Sequence, residues 1–167
     1  MDIPLLTKKQ LIREIEHAFQ GVQLEDGLSL KQTKVVDNYG RGCSNEEFVA
    51  LPQTEITDNW RSLPPEVLDE ADALAHLDQK GFRYYIPALM LRLLDNYDPT
   101  SMMTIGTLSM LYPKTESKKN LYTLLSPDQK KAVSHFLDAL PSLVRLDYED
   151  KKIVPRSLRN YWSQFLE

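Results

Sequence analysis

The stretch from residue 82 to residue 94 constrains the fold more than any other part of the chain. Phe82, Tyr85, Ile86, Leu89, Met90, Leu93 and Leu94 recur at steps of three and four. That period lays a wide apolar stripe along one side of an α-helix. The run follows Asp78-Gln79-Lys80-Gly81 and stops at Asp95-Asn96-Tyr97-Asp98-Pro99, a sequence suited to an Asx-type turn. Pro87 sits inside it and has no N–H to give to the carbonyl four residues back. The pattern predicts one kinked helix over residues 79–95, and so wide a stripe must be covered by other elements.

Helical signals on either side supply that cover. Thr7 with Gln10 forms a capping box ahead of Leu11, Ile15, Ala18 and Val22, which predicts a first helix over residues 8–20 ended by Gly21. A second helix is expected from near Ser29, carrying Leu28, Val35, Val36 and Tyr39, with Gly40 as its stop. Ser44 and Glu47 predict a short third helix through Ala50. The paired prolines Pro64 and Pro65 suit the first turn of a fourth, bearing Val67, Leu68, Ala71 and Leu74. Residues 101–112 divide between helix (Met103, Leu108, Leu111) and strand (Thr104, Ile105, Thr107 with Gly106), and their helical neighbours tip them to helix.

Ser126-Pro127-Asp128-Gln129 is the strongest start signal in the chain. Val133, Phe136, Leu137 and Leu140 follow as a buried face, and Pro141 is the expected stop. Leu158, Tyr161, Trp162 and Phe165 predict a C-terminal docking helix after Pro155. Residues 143–146 and 152–154 are expected to pair as strands across Asp147-Tyr148-Glu149-Asp150. The fold class is therefore mostly all-α: a single domain over residues 1–167, a compact bundle of about seven helices with one short β-hairpin near the C-terminus.

Composition narrows the function classes. With 42% hydrophobic and 26% charged residues, the 167-residue chain can bury a core, and disorder is excluded as its main state. No apolar run approaches the roughly 20 residues that cross a bilayer, so no membrane partner is expected. Met1-Asp2-Ile3-Pro4-Leu5-Leu6 lacks the zones of a signal peptide. Cys43 is the single cysteine, which rules out an internal disulfide and a cysteine-based zinc site. The expected location is the cytoplasm.

Catalytic signatures are missing from the sequence. His17, His76 and His135 have no second His three to five residues away and no metalloprotease Glu. No glycine-rich loop precedes Lys-Ser/Thr, and no Gly-x-Ser-x-Gly elbow occurs. Asp95, Asn96 and Asp98 lack the glycine and distal Glu of a calcium loop. Neither catalytic residues nor a cofactor nor a metal is expected, and the protein is read as a non-enzyme. A nucleic-acid surface would rest on Lys151, Lys152, Arg156 and Arg159 with Tyr161 and Trp162. That reading is set back by the acids Asp147, Glu149 and Asp150 and by the place of both aromatics on a buried stripe.

Charge is unevenly distributed. Residues 1–113 hold 10 Lys and Arg against 17 Asp and Glu, a balance of −7; residues 114–167 hold 10 against 7, a balance of +3, which together give the net −4. Opposite charges speed encounter and select partners, so an acidic face in the first two-thirds of the chain is expected to dock a basic protein.

Three short segments carry a resemblance. Asp37-Asn38-Tyr39-Gly40, Asp58-Asn59-Trp60 and Phe82-Arg83-Tyr84-Tyr85-Ile86-Pro87-Ala88 occur in this order. They resemble the Asp-x-Tyr, Asp-x-Trp and Phe-Arg-Tyr-Tyr-Leu-Pro-Ala elements of a family of small bacterial proteins classed only as a domain of unknown function. Ile86 stands here for the common Leu, and the resemblance covers roughly residues 10–140. It implies a bacterial, helical, cytoplasmic protein and no activity.

Its motif residues admit two roles. In the structural one, Trp60, Phe82, Tyr85 and Pro87 anchor the core, while Asp37, Asp58 and Arg83 pair between helices. In the other, Asp37, Tyr39, Asp58, Arg83 and Tyr84 surround a small-ligand or enzyme site, the guanidinium and phenol holding an anion beside a carboxylate. Arg83 and Tyr84 leave the helix on different sides from Phe82 and Ile86, so at least one should reach the surface. The function expected first is a non-catalytic protein-binding module, an immunity-type (toxin-neutralising) or adaptor protein whose partner is a basic toxin domain.

Overall fold

The computed structural model of the protein describes residues 7–39 and 57–166, with the backbone alone for residues 35–39. The expected third helix over 44–50, the stop at Gly40 and Cys43 lie outside the described residues. Within them the chain forms eight α-helices and three 3-10 turns and has no strand. The helices are α1 (Lys8–Ala18), α2 (Leu30–Tyr39), α3 (Pro65–Asp69), α4 (Gln79–Asp95), α5 (Met102–Met110), α6 (Glu116–Asn120), α7 (Pro127–Leu143) and α8 (Tyr148–Asn160).

Helix α4 runs through the centre, touched by α1, α3, α5, α7 and the 3-10 turn Trp60–Ser62. Its burial extends beyond one stripe: Tyr84, Pro87 and Ala88 are buried along with Phe82, Tyr85, Ile86 and Leu89. The helix spans Pro87 without a break, as its spacing predicts. Asp78 caps its start, accepting from Gly81 N–H (2.8 Å) and, across the fold, from Leu28 N–H (3.0 Å). A Cβ at Gly81 would sit 2.8 Å from the Leu28 carbonyl oxygen, so this close approach needs glycine.

Both strong capping boxes form. Gln10 N–H donates to the Thr7 hydroxyl (3.1 Å) and Gln129 N–H to that of Ser126 (3.1 Å), and each glutamine oxygen accepts from the cap's own N–H. The two helices they open pack together. Gln129 Nε2 donates to the Ala18 carbonyl at the end of α1 (3.1 Å), and His135 Nδ1 lies 2.7 Å from Glu14. Reciprocal bonds between Ser29 and Gln32 start α2 in the same way.

Four expectations are corrected. The fourth helix ends at Asp69, and Leu74 lies on a separate 3-10 turn, Leu74–His76. Leu68, Ala71, Leu74 and Leu77 are buried at steps of three, a spacing met by short segments. Leu74 thereby seats on Gly106 of α5, where an added Cβ would come within 3.0 Å of it. Thus the glycine that gave residues 101–112 a strand-like look makes room for a neighbour on a helix. Next, α7 continues through Pro141 to Leu143. Proline's fixed φ is compatible with a helix; the lost hydrogen bond and the crowding of the carbonyl four residues back fall here in the last turn, where Pro141 and Ser142 are exposed.

The C-terminal hairpin is overturned as well. Residues 148–160 are α8, capped by Asp147, which accepts from Asp150 N–H (2.9 Å). Acids in the first turn favour the helix through its dipole, and Asp150, Val154 and Ser157 give it a buried face. Finally, Tyr161, Trp162 and Phe165 do not continue a helix. α8 ends at Asn160, and a 3-10 turn Trp162–Phe165 folds the indole inward. Trp162 Nε1–H donates to the Leu111 carbonyl (2.8 Å), and its ring meets Tyr122 at 4.6 Å and Tyr161 at 4.8 Å.

Candidate functional site

Of the motif side chains that the structure describes, Arg83 lines a surface cavity that Asp58 and Tyr84 do not. Asp37 and Tyr39 belong to the backbone of α2, and their side chains lie outside the described residues. Asp58 is exposed ahead of the Trp60 turn and makes no ion pair among the described residues. Tyr84 is fully buried, its ring edge-on to Tyr85 at 4.9 Å. Arg83 is the member that reaches the surface, its side chain 21% exposed, and its carboxylate partner is Glu25. The expected Asp58–Arg83 pair is therefore replaced by one to the loop before α2.

The remaining motif residues act as anchors. Trp60 is buried and its Nε1–H donates to the Phe19 carbonyl just past α1 (2.8 Å). Tyr85 Oη accepts from Leu30 N–H at the start of α2 (3.3 Å). Phe82 packs on Tyr122, ring centroids 5.4 Å apart.

A different surface gathers the acids. Between the end of α3 and the start of α5 lies a depression of about 460 Å³ lined by Asp69, Glu70, Asp72, Asn96, Asp98 and Met102. Asp69 is neutralised there: Arg92 donates to it from Nε (2.8 Å) and Nη2 (2.7 Å), holding its carboxyl below the ordinary value. The Thr100 hydroxyl and N–H do the same for Asp98 at 2.7 and 3.0 Å, so its negative charge is secured. Glu70, Asp72 and Asp98 form no ion pair among the described residues, and their charge faces solvent.

Beside these carboxylates stand two uncovered apolar side chains. Met102 is 56% exposed and Ile105, one helical turn on, is 47% exposed. Isolated surface apolars need no explanation, but two on one face at the edge of an acidic depression make a mixed patch. The acids could be read from Asp69-Glu70-Ala71-Asp72 and Asp95–Asp98 in the sequence; the outward aim of Met102 and Ile105 depends on how α5 docks.

The family model described as a family of unknown function (DUF6714) matches residues 7–166. The chain belongs to this family. No curated protein and no solved structure matches it. DUF6714 extends past the span of the three-motif resemblance and takes in all of α7 and α8 and the Trp162 turn.

The basic C-terminal surface divides. Lys151, Lys152, Arg156 and Arg159 are exposed on α8, but Trp162 is core and Tyr161 is half-buried against it. The aromatic that does face solvent is Tyr148, 70% exposed, with the Lys152 ammonium 4.0 Å from its ring centre. Among the described residues, no helix is long and apolar enough to cross a membrane and no group of three or more His, Cys, Asp or Glu side chains could hold a metal ion.

Proposed function

We propose that the protein is a non-catalytic binding module that docks a basic protein domain on its acidic face, in the manner of a toxin-neutralising immunity protein or an adaptor. The observation that carries this reading is the depression between α3 and α5. There Glu70, Asp72 and Asp98 form no ion pair among the described residues, with exposed Met102 in the same lining and exposed Ile105 one helical turn on. Lysines and arginines of a partner would meet the carboxylates, and the two apolar side chains would bury against it. Charge of this kind raises the encounter rate and selects the partner, while desolvated apolar anchors supply most of the affinity. The excess of acid over base in residues 1–113 gives the face a favourable long-range field.

Co-expression with the product of the adjacent gene tests the proposal. A stable complex that is weakened by salt and lost in Met102→Asp supports it. A complex indifferent to Met102→Asp and to charge reversal at Glu70 and Asp72, or no association at micromolar concentration in low salt, overturns it.

A further inference from the structure

Among the described residues, one non-glycine residue has left-handed backbone: Glu25, φ 57°. A residue with a Cβ is disfavoured there and persists where its surroundings hold it. Arg83 holds the Glu25 side chain, its Nη2 donating to Oε2 of the carboxylate, while the turn closed by Gly27 N–H on the Leu24 carbonyl (3.0 Å) holds the backbone. Asp26 is held in parallel by Lys80, one turn earlier on α4, and this bond keeps the Asp26 carboxyl below its ordinary value.

The contact with Glu25 leaves Arg83 incompletely used. A guanidinium offers five N–H groups in a planar fork that fits both oxygens of a carboxylate. The Nε–H of Arg83 is buried without an acceptor among the described residues, a condition that calls for an explanation in a folded protein. Arg83 also lines a surface cavity of about 430 Å³ together with Gln20, Gln23, Glu25, Ser126 and Gln129. Ser126 and Gln129 belong to the N-terminal turn of the 17-residue α7, whose dipole favours negative charge at that end.

We infer that this cavity binds a carboxylate ligand, and that Glu25 is an internal carboxylate occupying Arg83 in its place. On binding, the ligand's carboxylate takes the guanidinium fork. Glu25 turns out to solvent, where its side chain is already half-exposed. The group that now fills the position types the ligand: it is a carboxylate. A phosphate dianion would call for a second cation, and Lys80 is taken by Asp26. The site is separate from the acidic depression and does not depend on the docking role proposed for it.

The test is an NMR titration of the ¹⁵N-labelled full chain, following the Arg83 Nε–H signal. The probes are sodium acetate, sodium succinate, and triglycine with a free or an amidated C-terminus, with sodium chloride as the control. The expected result is a saturating shift with a Kd on the order of 1 mM. Glu25→Gln, which removes the competing charge, should bind about tenfold tighter, and Arg83→Lys, followed on the backbone N–H signals of Gln23 and Glu25 that line the cavity, should bind more weakly than wild type. A response to free but not amidated triglycine assigns a peptide C-terminus as the source; a response confined to acetate or succinate assigns a free acid. Either supports the site. An Nε–H signal unmoved by every carboxylate, an equal response to chloride, or no tightening in Glu25→Gln overturns it. Glu25→Gln keeps the size of its side chain and leaves the guanidinium in place, so the test does not rest only on a variant that removes it.

Discussion

Trp162→Phe should destabilise the protein far more than an aromatic-for-aromatic exchange at the end of a chain would suggest. The indole is fully buried and donates to the Leu111 carbonyl at 2.8 Å, which ties the last turn to the end of α5. Phenylalanine cannot make that bond, a net loss of about 1–1.5 kcal/mol. It also leaves a gap beside Tyr122 and Tyr161, worth about 1–2 kcal/mol in partly relaxed core sites. The total is about 2–3.5 kcal/mol, which for a chain of this length lowers Tm by roughly 5–12 °C. Tyr148→Ala serves as the control. That ring is exposed and loses only its contact with the Lys152 ammonium, which costs under about 1 kcal/mol. Urea unfolding followed by circular dichroism measures both. If Trp162→Phe costs less than about 1 kcal/mol, or Tyr148→Ala costs as much as Trp162→Phe, the packing described for the C-terminal turn is wrong.

Substitutions at two further positions test the interior. Burial raises the Asp150 carboxyl above its ordinary 3.8, outweighing the hydrogen bond it accepts from Tyr97. A carboxyl with a raised folded-state pKa contributes stability while protonated and loses it as pH rises through that pKa. Asp150→Asn should therefore gain on wild type as pH rises from about 4 to 7 in parallel urea titrations; a difference that moves the other way contradicts this. At Gly106, alanine adds helix propensity of about 1 kcal/mol against a Leu74 methyl that must yield slightly from 3.0 Å. Gly106→Ala should be near neutral by thermal melting, and Gly106→Val should cost about 1–3 kcal/mol through overpacking. Equal stability of the two would show that Leu74 does not seat there.

Much of the helical frame was legible because its signals are local. Thr7 with Gln10 and Ser126 with Gln129 mark helix starts by side chains that bond the very next turn. The 79–95 helix was readable through Pro87 because its apolar residues keep helical spacing on both sides of it. The misreadings share a physical cause. Pro141 suggests a stop and Pro155 a helix start, yet each lies inside a helix at an exposed position. The supposed hairpin loop contained the Asp147 cap of α8. Helix α6 went unread, although Thr115 followed by Glu116 offers a cap and a first-turn acid.

Site geometry was less legible still, since it depends on contacts distant in sequence. Arg83 stood out by its motif, but its partner Glu25 lies 58 residues away on a loop with nothing in its sequence to mark it. Tyr84 was a candidate ligand group and is instead core. The acids of the α3–α5 depression were visible as charge; that two apolar side chains stand uncovered beside them follows only from the packing of α5.

Calorimetric titration of the partner against matched charge reversals tests whether the α3–α5 depression is the docking face. Glu70→Lys combined with Asp72→Lys should weaken binding by about 100-fold or more and flatten its salt dependence. Lys152→Glu combined with Arg156→Glu on α8 should leave affinity within about threefold. The reverse pattern, with α8 sensitive and the acidic depression indifferent, would contradict the account.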